Sequence, residues 1–477
     1  MADWLNDHWF LLTLFGAYTA VLLHNAHVGR RASAGLEGYY VGSRNLGGVA
    51  VGVSFFATFA STNSYIGHAG KGYAYGVPWM TLAVLIILFT FLSWRVVGGR
   101  LRRFASEFDA LTLPDFLSSR FPDAARPNLL RRVSGLVIVV SSILYLVAIF
   151  KGAGNLFERF FDIPYELAVG ITLLIVVAYT SIGGFVSVVR TDVLQGTLMV
   201  IGSAMLLYFV TSAAGGLGRI GELASQPDKS HLFEWNGGIP FAVLLGISLS
   251  GSLKLLVDPR QLSRFFALRD DRQVKIGIWV AVIGMTMVLA CLFPIGLYAH
   301  FLLDGVTDTD LVVPSLIANA AVIPPIAADI LIVAIVAAAM SSMDSVLLVA
   351  ASVTCRDVLS GVRGAGSLTM TRVAVVAFAV VSAGIALRPP GGIVEITIFS
   401  GSLYAVCFFP AILLGLHWQR GSAAAVLASM AAGVGVLLIW MLLGFNAALH
   451  EVFPGLAASL LAYVALARRA PPSAPAM

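Results

Sequence analysis

Apolar runs of about 20 residues recur along this 477-residue chain from end to end, and that recurrence limits its fold more than any motif does. Inside a bilayer each backbone N–H and C=O must be satisfied within the protein, which favours helices for such runs. Composition agrees: 58% of residues are hydrophobic and 12% charged, with a mean hydropathy of +0.90. The expected fold class is an all-α polytopic membrane protein. Thirteen runs read as spans, at about 8–28, 46–70, 76–98, 132–152, 164–183, 191–213, 239–260, 274–300, 326–352, 369–387, 393–416, 422–444 and 451–468. The longest connections, 99–131, 214–238 and 301–325, leave no room for a separate soluble domain. The start, MADWLNDHWF, lacks a basic n-region, so the first run is expected to be a retained span.

Charge sets the expected orientation. Alternate loops carry 24 of the 30 basic residues, from Arg30, Arg31 and Arg44 to Arg468 and Arg469. By the positive-inside rule that side is cytoplasmic, with the N-terminus outside and the C-terminus inside. The six others are Lys71, Lys151, Arg159, Arg219, Lys229 and Arg388. Topology therefore accounts for the pI near 9.1, and no nucleic-acid partner is expected. Cys291, Cys355 and Cys407 are too scattered for a metal site or a disulfide framework. No HExxH motif or nucleophile-and-base set is present, so an enzyme is not expected.

One span is unusual. Ala337 to Asp357 reads AAAMSSMDSVLLVAASVTCRD, and on a helix Ala338, Ser341, Ser342 and Ser345 share one face. Such oxygens suit a hard cation such as Na+, and they equally suit a close helix–helix contact. Asp344 tips the reading towards function, because an ionisable residue inside a span costs about 2.5–3.5 kcal/mol on the insertion scale.

Two spans look broken. The second carries Ser61, Thr62, Asn63 and Ser64 in mid-run, and the seventh carries Gly246, Ser248, Ser250, Gly251 and Ser252 before Lys254 and Asp258. Non-helical backbone at membrane depth is tolerated where it is buried in protein or lines a cavity. The two spans lie five apart, so they run in opposite directions. This predicts an inverted repeat, with residues 46–213 as the first five-helix unit and 239–416 as the second. Residues 1–45 and 417–477 are then peripheral: one helix and a loop, and two helices with a short tail.

Several motifs resemble the sodium:solute symporter family. They are Tyr39-Tyr40-Val41-Gly42-Ser43-Arg44, the run Ile66-Gly67 to Gly70-Lys71-Gly72-Tyr73, Gly183-Gly184 with Thr191-Asp192-Val193-Leu194-Gln195-Gly196, and Met340-Ser341-Ser342-Met343-Asp344-Ser345 through Arg356-Asp357. The resemblance implies a leucine-transporter-like five-plus-five inverted-repeat core and Na+-coupled uptake of a small organic solute. It implies a Na+ site built from the carbonyls of Ala57, Ala60 and Ala338 and the hydroxyls of Ser341 and Ser342. Some members hold a second Na+; the matching positions are Asp192, Asp344, Ser345 and Ser342. Here Asp344 stands where such a member can have a hydroxyl. It could bind Na+, pair with a base such as Arg190, or take a proton, while Asp192 could simply cap the start of its helix.

For the solute, the resemblance points beside the broken helices, to Ser61, Asn63 and Ser64, with Tyr145, Ser248 and Ser252. His68 reads more readily as a satisfied interior histidine. Leu253-Lys254-Leu255-Leu256-Val257-Asp258-Pro259-Arg260-Gln261 departs from sugar and proline members, which usually carry a glycine-rich run ending in Gln-Pro. Lys254 sits about 15 residues into its span, roughly 22 Å by helical rise. It could anchor a carboxylate, or it could snorkel or pair with Asp258 at i+4. The alternatives to Na+ symport are proton coupling and a transporter-like solute sensor, although the C-terminal ARRAPPSAPAM offers no signalling domain. Na+ is expected as coupling ion rather than cofactor. The expected partners are a small solute, Na+ and membrane lipid, with no obligate protein partner, in the cytoplasmic membrane.

Overall fold

The computed structural model describes residues 2–32, 35–362 and 366–468. Arg363, Arg469 and the rest of the tail lie outside the described residues. Every predicted run is helical. In chain order the main helices are α1 (Ala2–Ala32), α2 (Gly48–Phe59), α3 (Ala69–Tyr75), α4 (Met80–Leu92), α5 (Leu129–Phe161), α6 (Tyr165–Ala213) and α7 (Phe241–Val257). They continue as α8 (Pro259–Ala267), α9 (Asp271–Leu292), α10 (Pro325–Val353), α11 (Leu368–Ala386), α12 (Ile393–His417), α13 (Ala423–Leu442) and α14 (Val452–Ala467). No strand is present among the described residues; a single parallel bridge joins Leu46 to Leu268.

Ten helices are long and apolar enough to cross a membrane, or eleven if the bent pair α2–α3 is one span. The shortfall against thirteen lies in two shorter apolar helices, Tyr165–Ala178 and Val452–Ala467. The fifth and sixth runs follow one another within α6 as two helices joined across a break at Gly184 (φ 66°, ψ −172°), a conformation that glycine adopts without penalty.

Burial orders the bundle. In α10 and α12, 83% of the most apolar window is buried, against 22% in α1 and 33% in α11 and α13. The polar stretch from Ala337 therefore lies at the centre, while α1, α11 and α13 lie at the periphery. The break in the second run falls where the serine-rich segment predicts it. Ala60 leaves helical geometry (ψ 105°), a π-turn spans Asn63–His68, and the two halves meet at 55°.

The seventh run breaks elsewhere. Its helix continues through Gly246–Ser252 to Val257, and Asp258 is extended (φ −67°, ψ 122°). The cause is Pro259, which biases the preceding residue away from helix and cannot donate. Asp258 then caps α8 by accepting from Arg260 N at 2.9 Å. The glycines and serines upstream instead make a close helix contact. Ser250 Oγ donates to Ile398 O at 2.7 Å, and a Cβ on Gly251 would touch Leu82 and Ile398.

Candidate ion and substrate site

The bend in α2–α3 frees carbonyls that a continuous helix would have used. The Ser64 amide, which would bond Ala60 in such a helix, donates to Ser61 O at 2.9 Å. α10 packs against this opening. Ala57, Ala60, Ala338, Ser341 and Ser342 are all fully buried. Ser342 Oγ donates to Thr58 O at 2.9 Å, which fastens α10 to the last turn of α2. Ser341 Oγ, one residue away, turns to α6 and donates to Asp192 Oδ1 at 2.5 Å.

A second group of oxygens lies beside this one, and it already contains a cation. Arg264 of α8 is 1% exposed on its side chain and Asp192 is 0% exposed. Arg264 Nη2 donates to Asp192 Oδ2 at 3.1 Å, Thr58 Oγ1 at 2.6 Å and Ser345 Oγ at 2.6 Å. Its Nε donates to Ser54 Oγ at 3.1 Å, and Ser54 Oγ donates in turn to Asp192 Oδ2 at 2.5 Å. Asp192 and Ser345 thus converge on a guanidinium. Asp344 turns instead to Thr180, whose Oγ1 donates to its Oδ1 at 2.7 Å. Arg190, the base weighed as its partner, is exposed. Asp192 caps no helix, because α6 runs on past it from the kink at Gly184. Sequence reasoning missed Arg264 because it counted as one more topological charge. The available signal was Arg260 and Arg264 at i, i+4, directly after the apolar run that ends at Val257.

Three of the predicted solute residues, Ser61, Asn63 and Tyr145, meet at the same break. Tyr145 Oη donates to Ser61 Oγ at 3.3 Å, and Asn63 N donates to Ser61 Oγ at 3.1 Å. His68 is only half satisfied: Nε2 lies 3.1 Å from Asn63 Nδ2, while Nδ1 has no partner among the described residues. The hydroxyls of Ser248 and Thr62 and the Asn63 Oδ1 are likewise buried without partners among the described residues. Ser64 is buried, and Ser252 spends its hydroxyl on Ser248 O at 2.6 Å.

Lys254 neither snorkels nor pairs with Asp258. It is 4% exposed, and Asp258 is taken by Arg260, whose Nε lies 3.0 Å from both carboxylate oxygens. The Lys254 ammonium lies 5.1 Å from the Phe59 ring centre and 5.2 Å from that of Tyr145. It makes no ion pair among the described residues. A second cation lies near the same ring, since the Arg260 guanidinium sits 3.8 Å from the Tyr145 ring centre.

The two ends of the bundle differ. On the basic side a cavity of about 20 Å³ reaches Arg264 and Ser345 between Thr112, Phe185 and Ser352, which is room for about one water. The other end is latched. Lys151 Nζ donates to Asp310 Oδ2 at 2.7 Å, which also accepts from Ile393 N at 3.2 Å, and Lys71 pairs with Glu395 at 2.6 Å. Lys71, Lys151, Arg219 and Lys229, four of the six basic residues outside the basic loops, each have an acidic partner.

The sequence pattern of the sodium:solute symporter family matches residues 39–433. Relatives include the sodium/pantothenate symporter of Haemophilus influenzae, 27% identical over 472 residues that cover 95% of this chain and 94% of that one. The Escherichia coli sodium/pantothenate symporter is 29% identical, covering 95% and 94%. The osmoregulated proline transporter of Bacillus subtilis is 28% identical, covering 95% and 93%. Among solved structures, a Na+-coupled sialic acid symporter in a substrate-bound outward-open state shares the fold with a TM-score of 0.79, at 20% identity over 98% of each chain. A nucleobase-cation-symport-1 family transporter follows at a TM-score of 0.59 and 13% identity, covering 93% of this chain and 97% of that one. A family pattern that runs through the broken helix, the Asp192 helix and the serine helix, with relatives aligned nearly end to end, shows that this chain belongs to the sodium:solute symporter family.

Proposed function

We propose that this membrane transporter uses the Na+ gradient to import a small organic carboxylate by alternating access, and that Lys254 anchors the carboxylate. The observation that carries the reading is the state of Lys254: a buried ammonium, faced by two aromatic rings, whose nearest carboxylate in sequence is occupied by Arg260. A buried unpaired charge costs several kcal/mol, and a solute carboxylate would relieve that cost at the moment of binding. The relatives named for pantothenate and proline and the structure named for sialic acid are all associated with carboxylates. Ser61, Asn63, Ser64, Tyr145, Ser248 and Ser252 would supply the remaining polar contacts.

For the ion, the carbonyls of Ala57, Ala60 and Ala338 and the hydroxyls of Ser341 and Ser342 form the Na+ site. The oxygens around Asp192 and Ser345 hold Arg264 instead, so one Na+ accompanies each solute. Asp344 then serves as a structural acceptor for Thr180. The core consists of the inverted repeats 46–213 and 239–416, with α2–α3 and α7–α8 as their equivalent broken helices. Thirteen crossings put the N-terminus outside and the basic loops in the cytoplasm. The latch of Lys151 on Asp310 then closes the outer side while the basic side leads inward.

Uptake into proteoliposomes at fixed pH tests this. Wild type should accumulate carboxylates only with an inward Na+ gradient and should reject their neutral amides. Lys254→Gln should raise KM for the carboxylate at least tenfold and erase the discrimination. Unchanged KM for every carboxylate transported would overturn the anchor, and uptake indifferent to Na+ would overturn the coupling.

A further inference from the structure

A larger cavity opens on the basic side of the bundle, away from the ion cluster. It has a volume of about 700 Å³ and lies between the end of α4 and the start of α9, lined by Phe91, Trp94, Arg95, Arg103, Lys275 and Trp279 among others. Its two walls repeat one arrangement. On one, Phe91 stands four residues membrane-ward of Arg95; on the other, Trp279 stands four residues membrane-ward of Lys275. Four residues are about 6 Å of helix, so each wall pairs one aromatic layer with one cationic layer. Phe91 and Trp279 approach to 6.4 Å between ring centres, and Trp279 is 60% exposed. The π-turn at Ser93–Gly98 displaces the wall at the cationic level, and the floor at Gly99 is open, because a Cβ there would meet nothing within 4 Å.

The charges in this groove are only partly spent. Arg100 holds Leu416 O at 3.0 Å and His417 at 2.7 Å, and Asp271 is taken by Arg102 at 2.6 Å. Arg95 and Lys275 are exposed and make no hydrogen bond or ion pair among the described residues. A second observation points to a missing acceptor. Trp94 lines the cavity, is 1% exposed, and its indole N–H has no partner among the described residues. The positive-inside rule explains why basic residues lie on this side. It does not explain a two-walled slot with aromatic faces above the cations and an orphaned donor in the lining.

We propose that this groove is a binding site for one anionic glycerophospholipid of the leaflet on the basic side. The phosphate would lie between Arg95 and Lys275 and accept from Trp94, and the acyl chains would follow Phe91 and Trp279 into the membrane. Basic pockets between spans on the cytoplasmic side suit such headgroups. The site also touches the transport machinery. The Trp94 ring packs on Phe55 of α2 at 5.5 Å and on Phe265 of α8 at 5.1 Å, the residue after Arg264. A bound lipid therefore stiffens the seam between the broken helix and the helix that carries the internal cation.

Native mass spectrometry of the purified full-length protein, in micelles doped with phosphatidylglycerol or phosphatidylcholine, tests the site. Wild type should retain one phosphatidylglycerol in preference to phosphatidylcholine. Each basic contact contributes about fivefold, so Arg95→Gln/Lys275→Gln should weaken retention about 25-fold. Both side chains are exposed, so the variant keeps its core. Arg126→Gln/Arg190→Gln removes two other exposed charges and should change nothing. Equal retention of phosphatidylcholine, wild-type retention by Arg95→Gln/Lys275→Gln, or an equal loss in the Arg126→Gln/Arg190→Gln control would overturn the proposal.

Discussion

Replacing Arg264 by Gln removes a cation that joins four helices. Its five N–H groups lie within hydrogen-bond distance of six acceptors, on Ser54, Thr58, Asp192, Ser345, Ser263 and the Arg260 carbonyl. Gln keeps one or two of these and leaves the fully buried Asp192 carboxylate without its counter-charge. Breaking one side of a buried pair costs about 3–5 kcal/mol, whereas removing both charges is far less damaging. Asp192→Asn should therefore rescue Arg264→Gln, with the double variant at least about 2 kcal/mol more stable than the two single costs predict. Unfolding by SDS can be followed with a thiol dye, because Cys355 and Cys407 are buried and free. A Na+ arm adds a second readout. In Arg264→Gln the vacated oxygens around Asp192 can take Na+, and at 100 times its Kd the ion would restore about 2.7 kcal/mol. Choline chloride should not do so, and Asp192→Asn should abolish the effect. A tolerated Arg264→Gln, strictly additive costs in the double variant, or rescue by choline would refute the view of Arg264 as an internal counter-ion.

Ser341→Ala/Ser342→Ala removes two of the five proposed Na+ oxygens and should raise the Na+ concentration for half-maximal uptake at least tenfold; normal Na+ activation would refute the site. Asp310→Asn breaks the latch with Lys151 and weakens the bond to Ile393 N, so maximal uptake should fall several-fold with little change in solute affinity; a pure affinity change would place Asp310 in the solute site instead. Gly70→Val should destabilise the protein by about 1–3 kcal/mol through overpacking, because even a Cβ at that position meets the Thr309 carbonyl; wild-type unfolding would show that α3 and the 309–311 turn are not in close contact.

The helices were legible because hydrocarbon leaves the backbone few choices. The break at Ser61–Ser64 was legible for the same reason, since four short polar residues in an apolar run have few other uses. The seventh run misled because glycine and serine serve two physical ends. They allow irregular backbone, and they allow close helix contact; here Ser250 and Gly251 do the second, and Pro259 makes the break. The count of spans was harder still. The fifth run contains only a short apolar helix, Tyr165–Ala178, which leads into the sixth across a break at Gly184.

Alone, the sequence determined that this is a helical membrane transporter of a recognisable family. It also marked Ala338, Ser341 and Ser342 as one polar face, because periodicity and motif order are properties of the chain itself. Only the tertiary structure decided how the charges pair. Asp192 could have met Na+, taken a proton or capped its helix, and it meets Arg264, 72 residues away. Lys254 could have reached Asp258 one turn on, and Arg260 holds that carboxylate instead. Electrostatic partners are chosen by distance and burial in three dimensions, and neither can be read from spacing along the chain.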